Sequence, residues 1–199
     1  GAHTSIPAPG LGALAAARGG RDSRLAGNLA ALGVSADDIS VVSKHDTSTN
    51  ANDPNEAELH SLIAQALGRS EGNPLYVVSQ KTLTGHSKGG AALFQLAGLT
   101  QIFASGLIPG NMALDCMDPV FEEDSFLVWP RSPFQHEGVK AGLISSLGFG
   151  HVSALLALAA LAVVPSFGSG DGEIAHRFAV GHIAHFGITA EIADQDDFV

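Results

Sequence analysis

The sequence predicts an α/β fold, with a sheet of short buried strands covered by helices on both faces. Three observations carry this. Compact β-branched runs recur, ISVVS at 39–43 and LYVVS at 75–79, with no polar alternation of the kind a half-solvated strand shows. Segments with apolar residues at helical spacing separate them. Hydrophobic residues make up 45% of the 199, enough to bury a core and too many for a disordered chain.

The elements run in this order. Residues 1–19 read as a Gly/Pro/Ala loop with a short helix near 11–18. Leu25, Leu29 and Leu32 stand at helical spacing within 21–33, and Gly33 stops that helix. After the strand 39–43 comes a polar loop. Pro54 then suits a first helical turn, and 56–67 is an amphipathic helix ended by Gly68. Strand 75–79 leads through the glycine-rich 85–90 into a helix over 89–105, closed by Gly106. Residues 107–124 read as loop, 126–129 as an edge or hairpin strand, and 140–147 and 153–163 as two apolar strands around Gly148-Phe149-Gly150. Residues 165–199 show little periodicity and end in an acidic run, and 161–199 are set apart as a tail of unassigned structure.

Composition excludes several functions. Ten basic against 20 acidic residues give a net charge of −10, which repels phosphate backbones and argues against nucleic-acid binding. One cysteine, Cys116, cannot form a disulfide within the chain, which fits a reducing cytoplasm. No Cys/His cluster has metal-ligand spacing, so no metal is expected. The most apolar stretch, 141–164, is interrupted by Gly148, Gly150 and His151 and reads as strands, not as a membrane span. The opening GAHTSIPAPG has neither the basic nor the apolar region of a signal peptide. It runs from a loop straight into a helix pattern, so residue 1 is expected to be a cut within a longer chain.

Both early strands run into a polar loop bearing a histidine: Lys44-His45-Asp46-Thr47-Ser48-Thr49 after the first, and Lys81-Thr82-Leu83-Thr84-Gly85-His86 after the second. In open α/β sheets chemistry gathers at the carboxyl ends of strands. Parallel neighbouring strands would bring His45 and His86 to one crevice. The glycines after His86 permit close backbone approach, and the next helix would direct its positive end there. On residue type alone, a histidine at a strand end is usually a hydrogen-bonded structural residue.

The surrounding motifs are more specific. HDTSTNAND (45–53) resembles the ketoacyl-synthase signature of histidine followed by Gly-Thr-Ser-Thr. KTLTGHSKGGAA (81–92) resembles that family's second histidine motif. SLGFGHVSALLAL (146–158) is similar to its closing Gly-Phe-Gly turn, and IPGNMALDCMDP (108–119) to its Ile-Pro, Asn, Leu-Asp series. Four motifs in order cover residues 1–160. They identify this stretch as the C-terminal half of a thiolase-like β-ketoacyl synthase domain. Lys88-Gly89-Gly90, NANDPNEAEL (50–59) and the opening HTSIPAPGLGALAAARGG look most like type I fatty acid synthases of the actinobacterial kind.

The resemblance implies a half-domain with a five-stranded mixed sheet flanked by helices. It implies a 3-oxoacyl-[acyl-carrier-protein] synthase, which condenses malonyl-carrier with an acyl thioester with loss of CO₂. His45 and His86 would be the two histidines of a Cys-His-His triad, and Lys81 would tune the field around them. Thr47 and Thr49 would bind the pantetheine arm, and Phe149 would gate the site and lend its N–H to the oxyanion. Asp53 and Glu56 would hold the loop and helix start. No cofactor is held covalently; the substrates ride on phosphopantetheine. The implied partners are an acyl carrier domain, the N-terminal half that carries the reactive cysteine, and a second copy of the synthase. Cys116 matches a non-catalytic loop position beside Asp115 and Asp118, so the chain alone is expected to be inactive. The alternative is a non-catalytic thiolase-fold partner that shapes an acyl pocket or a dimer interface. A degradative thiolase would need a Cys-x-Gly turn that is absent from the sequence. Two departures stand out: Asp46 replaces the usual glycine, and Gln95 replaces the glutamate of many discrete synthases.

Overall fold

The computed structural model describes residues 17–148, 153–160 and 186–192, the last of these by backbone. Helix α1 (Arg24–Ala31) is capped by Ser23, whose hydroxyl accepts from the Ala26 N–H at 3.2 Å. Strand β1 (Ile39–Ser43) comes next, then α2 (Asn52–Ala66), β2 (Leu75–Val78), a single turn α3 (Lys81–Thr84) and α4 (Ala91–Ser105). After these come β3 (Leu107–Ile108), a short α5 (Pro119–Glu122), β4 (Leu127–Val128), β5 (Phe134–Gln135), β6 (Ala141–Leu147), β7 (Ser153–Ala160) and β8 (Phe186–Ile192).

The main sheet has the order β4-β2-β1-β6-β7-β8. The first four strands are parallel, and β7 and β8 run antiparallel to their neighbours. Five of the strands come from residues 39–160 and form the expected mixed sheet. The sixth, Phe186–Ile192, comes from the tail and adds to the β7 edge. The 126–129 run is an edge strand paired parallel with β2, so it belongs to no hairpin there.

Helices cover both faces. On one, Leu25 and Leu29 of α1 and Leu59 and Ile63 of α2 pack on Ile39, Val42, Val77, Leu143 and Leu155. On the other, Leu99 and Ile102 of α4 pack on Val41, Val78, Ile144 and Leu158. Burying each such side chain contributes roughly 1.5–3 kcal/mol. Strand β1 turns Ile39 and Val42 to one face and Val41 to the other because a bulge interrupts its alternation. Ile39 pairs with Ala141 and Val41 with Gly142, leaving Ser40 as an extra residue. Gly142 is required by α4: a Cβ there would lie 2.7 Å from Leu99 Cδ1. Gly106 ends α4 in the left-handed region (φ 69°), its N–H reaching the Ile102 carbonyl at 2.8 Å.

Several boundaries differ from expectation. Helix α2 begins at Asn52, a turn before Glu56, because the Asn52 and Asp53 N–H groups already bond the Thr49 carbonyl at 3.0 Å. Lys81–Thr84, read as loop, closes one helical turn. Of the expected 11–18 helix only Ala17 and Arg18 are described, and they lie in a turn. No helix among the described residues is long and apolar enough to cross a membrane.

Candidate active site

Strands β1 and β2 are parallel neighbours, so their carboxyl ends lie side by side. The Lys44 N–H bonds the Val78 carbonyl at 3.2 Å and carries the pairing into the loops. The two histidine loops therefore leave the same edge of the sheet. The His45 and His86 rings meet edge to face, centroids 5.5 Å apart and planes at 84°. Lys81 joins them: its Nζ lies 3.4 Å from His45 Nδ1 and also donates to the His45 carbonyl.

These contacts determine the tautomers. An ammonium has only donors, so His45 Nδ1 facing Lys81 is an acceptor and the ring proton sits on Nε2. His86 Nδ1 accepts the Lys88 N–H at 3.0 Å, which again leaves the proton on Nε2. Lys88 adopts φ 52° to make that contact. Burial pushes the His45 pKa down to about 4, helped by the charge of Lys81, so the ring is neutral near pH 7. Burial likewise lowers the Lys81 ammonium from its usual value. His45 is buried and His86 is exposed.

The His45 loop is clamped from beneath by Glu56, which is fully buried on α2. Its Oε1 accepts the His45 N–H and the Ser145 hydroxyl (2.7 Å). Its Oε2 accepts the Asp46 N–H (2.7 Å) and the Asn52 side-chain amide (3.0 Å). From the opposite helix, Gln95 Nε2 reaches the carbonyls of Ser43 (2.8 Å), Lys44 (2.9 Å) and Ser145 (3.1 Å). Gln95, the departure from the family's glutamate, thus braces the ends of β1 and β6. Asn111 does the same for β2, accepting the Ser79 N–H at 2.8 Å and donating to the Val77 carbonyl at 2.9 Å.

Asp46 sits in the left-handed region, φ 50°, which glycine enters without steric cost. Aspartate is among the few residues that tolerate this region, through short-range polar contacts. Here its carboxylate pairs with Lys44 at 3.1 Å. The Thr47 and Thr49 hydroxyls lie 3.3 Å apart, and Thr49 also accepts the Asn52 N–H. Phe149 lies outside the described residues. Cys116 is exposed in the loop before α5. Among the described residues no group of three or more His, Cys, Asp or Glu is placed to hold a metal.

Reading the sequence for reactive residues missed Ser145 and His60, both buried beside Glu56. A signal was available. The buried stripe of α2 is Glu56, Leu59, His60, Ile63 and Ala64, so two polar residues occupy apolar positions of the helical period. Gln95 stands out in the same way among Ala91, Leu99 and Ile102 on α4.

The family model of the beta-ketoacyl synthase C-terminal domain matches residues 1–115. The fatty acid synthase subunit alpha of Candida albicans is 46% identical over 134 residues, covering 67% of this chain, and that of Saccharomyces cerevisiae is 45% identical over 133 residues, covering 65%. The chain spans about 7% of the length of these relatives. Among solved structures, the ketosynthase FabY from P. aeruginosa superposes with a TM-score of 0.63 at 24% identity, over 80% of this chain and 24% of that one. AntDE:AntF, a type II polyketide synthase carrier protein in complex with its ketosynthase, gives 0.60 at 24% identity, over 80% and 35%. These two show the shared thiolase-like fold. The chain belongs to the beta-ketoacyl synthase family and carries its C-terminal domain.

Proposed function

We propose that this chain supplies the malonyl-activating half of a 3-oxoacyl-[acyl-carrier-protein] synthase within a type I fatty acid synthase. The observation that carries the reading is the pair of imidazoles, ring centroids 5.5 Å apart, each accepting at Nδ1 and so left with an Nε2–H to donate. Two such donors suit a thioester carbonyl that becomes an enolate. As the malonyl C–C bond breaks, CO₂ leaves and the electron pair passes to that oxygen, held by His45 and His86. The enolate carbon then attacks an acyl thioester borne on a cysteine of the N-terminal half, expelling the thiolate. Burial and, second to it, the Lys81 charge keep His45 neutral, and Lys81 orients the ring. Thr47 and Thr49 offer hydroxyls to the pantetheine arm, and Phe149 gates the acyl entrance. Residues 1–160 carry the half-domain motifs, and the tail beyond, which adds β8 to the sheet edge, lies outside the catalytic assignment.

The substrates are phosphopantetheine-linked, and the partners are a carrier domain, the complementary half-domain and a second synthase copy, in the cytoplasm. Cys116 is exposed beside acidic residues, so the chain by itself carries no condensing activity. A non-catalytic partner that only shapes an acyl pocket needs neither oriented donor. The test is malonyl-carrier decarboxylation by the parent synthase, read as CO₂ release. His45→Ala and His86→Ala are each expected to slow it about 10²–10³-fold, while acyl loading of the cysteine continues. Decarboxylation within a few-fold of normal in both variants would overturn the assignment.

A further inference from the structure

We infer that His60 is a positioning residue for His45, acting through the Ser145 hydroxyl. The inference rests on the condensing reading of the His45 loop and adds a residue to it.

The proton positions around Ser145 are fixed by its three neighbours. Ser145 Oγ lies 2.7 Å from Glu56 Oε1, 3.1 Å from the His45 main-chain N and 3.1 Å from His60 Nε2. A hydroxyl has one proton, and a carboxylate only accepts, so that proton goes to Glu56. The His45 N–H can only donate. His60 Nε2 must therefore also donate to Ser145, and His60 Nδ1 carries the lone pair. That atom is the buried ring nitrogen with no partner. The chain of donors runs from His60 to Ser145 to Glu56, and the His45 N–H is held at its far end by both oxygens.

The position speaks for a role beyond packing. His60 is 1% exposed and stands between Leu59 and Ile63 on the buried stripe of α2, where a leucine would pack without stranding a polar atom. Its ring does what a leucine could not: it fills one lone pair of Ser145 and so stops the hydroxyl from turning away from Glu56. The charged groups that act on it are Glu56, 4.0 Å away, and Lys44. Burial outweighs the pull of Glu56 and lowers its pKa to about 4, so the neutral tautomer is the working form. Without His60 the Ser145 hydroxyl is held by Glu56 alone, so the His45 N–H keeps a less fixed second acceptor, and the imidazole above it drifts relative to Lys81 and His86.

The experiment uses the parent synthase with His60→Leu, which keeps the volume and removes the donor, and His60→Gln, whose amide N–H replaces it. His60→Leu is expected to lower the kcat of malonyl decarboxylation about tenfold per folded molecule at unchanged KM, and His60→Gln to recover most of that loss. Nitrogen-15 NMR of the histidines should show His60 with its proton on Nε2, and His60→Leu should move the His45 ring resonances. If His60→Leu fails to fold, Ser145→Ala gives the same readouts, and adding His60→Gln to it should cost nothing further. Unchanged kcat and unchanged His45 resonances in His60→Leu would overturn the inference, as would a His60 proton on Nδ1. His45→Ala, run beside these, separates the two ideas. If it leaves decarboxylation intact while His60→Leu still shifts the His45 resonances, the condensing role fails and the positioning link stands.

Discussion

Replacing Glu56 by glutamine changes one oxygen to an amide and almost nothing in volume. The carboxylate accepts four hydrogen bonds, two at each oxygen. The new amide can occupy either place. At Oε2 it faces the Asp46 N–H and the Asn52 side chain; at Oε1 it faces the His45 N–H and the Ser145 hydroxyl. Asn52 can turn its own amide to accept, but the Asp46 and His45 peptide N–H groups have no such freedom, so each orientation sets a donor against a buried main-chain donor. One unsatisfied buried N–H costs about 1–3 kcal/mol, and about 2 kcal/mol lowers Tm by roughly 4–8 °C in a chain of this size. Thermal unfolding tracked by circular dichroism reads the shift, and the loop should fray first, seen as faster amide exchange at His45 and Asp46. A Glu56→Gln protein that melts within about 1 °C of the parent, with those amides still protected, would refute the clamp.

The geometry leads to three other outcomes. His60 has a folded pKa of about 4 against an ordinary 6.5, so the unfolded chain takes up the proton first. Stability therefore falls as pH drops from 6.5 towards 4. His60 alone accounts for about 2 kcal/mol between pH 7 and pH 5, and urea titrations of His60→Gln should lose that part of the slope. Lys81→Met removes a charge that depresses His45, so NMR titration should place the His45 pKa above about 4 but still below 6.5, because burial, the larger cause, remains. Gly142→Ala forces a methyl group against Leu99 and should destabilise by about 1–3 kcal/mol. Leu99→Ala opens that space, so denaturation of the double variant should show less loss than the sum of the two.

The extent to which the fold could be read from the sequence tracks how local each signal is. Strands β1 and β2 are β-branched runs bounded by polar loops, and α4 ends at a glycine, so neighbouring residues fix their positions. The pairing of Leu127–Val128 with Leu75–Tyr76 joins distant segments across the sheet edge, and nothing in two residues announces its direction. The turn Lys81–Thr84 has too few residues for a period. The site divides in the same way. His45, Lys81 and His86 stand in recognisable motifs, whereas Ser145 reaches His60 and His45 across 85 and 100 residues of chain. Such contacts leave only an indirect trace, a polar side chain on a stripe that should be greasy. Asp46 shows the reverse case: the motif marked the position as unusual, and the backbone there adopts the left-handed conformation that glycine enters freely.

The extra residue at Ser40 has a consequence for how this half-domain can change. Side chains in a strand alternate, so one supernumerary residue reverses the parity between the residues on its N-terminal side and those on its C-terminal side. Ile39 and Val42 lie on the same side only because Ser40 intervenes. Deleting a residue here, or inserting a second, would leave either the approach from α1 or the departure to His45 on the wrong side of the sheet. Along this stretch, substitutions can be absorbed by repacking, but a change in chain length has no such remedy.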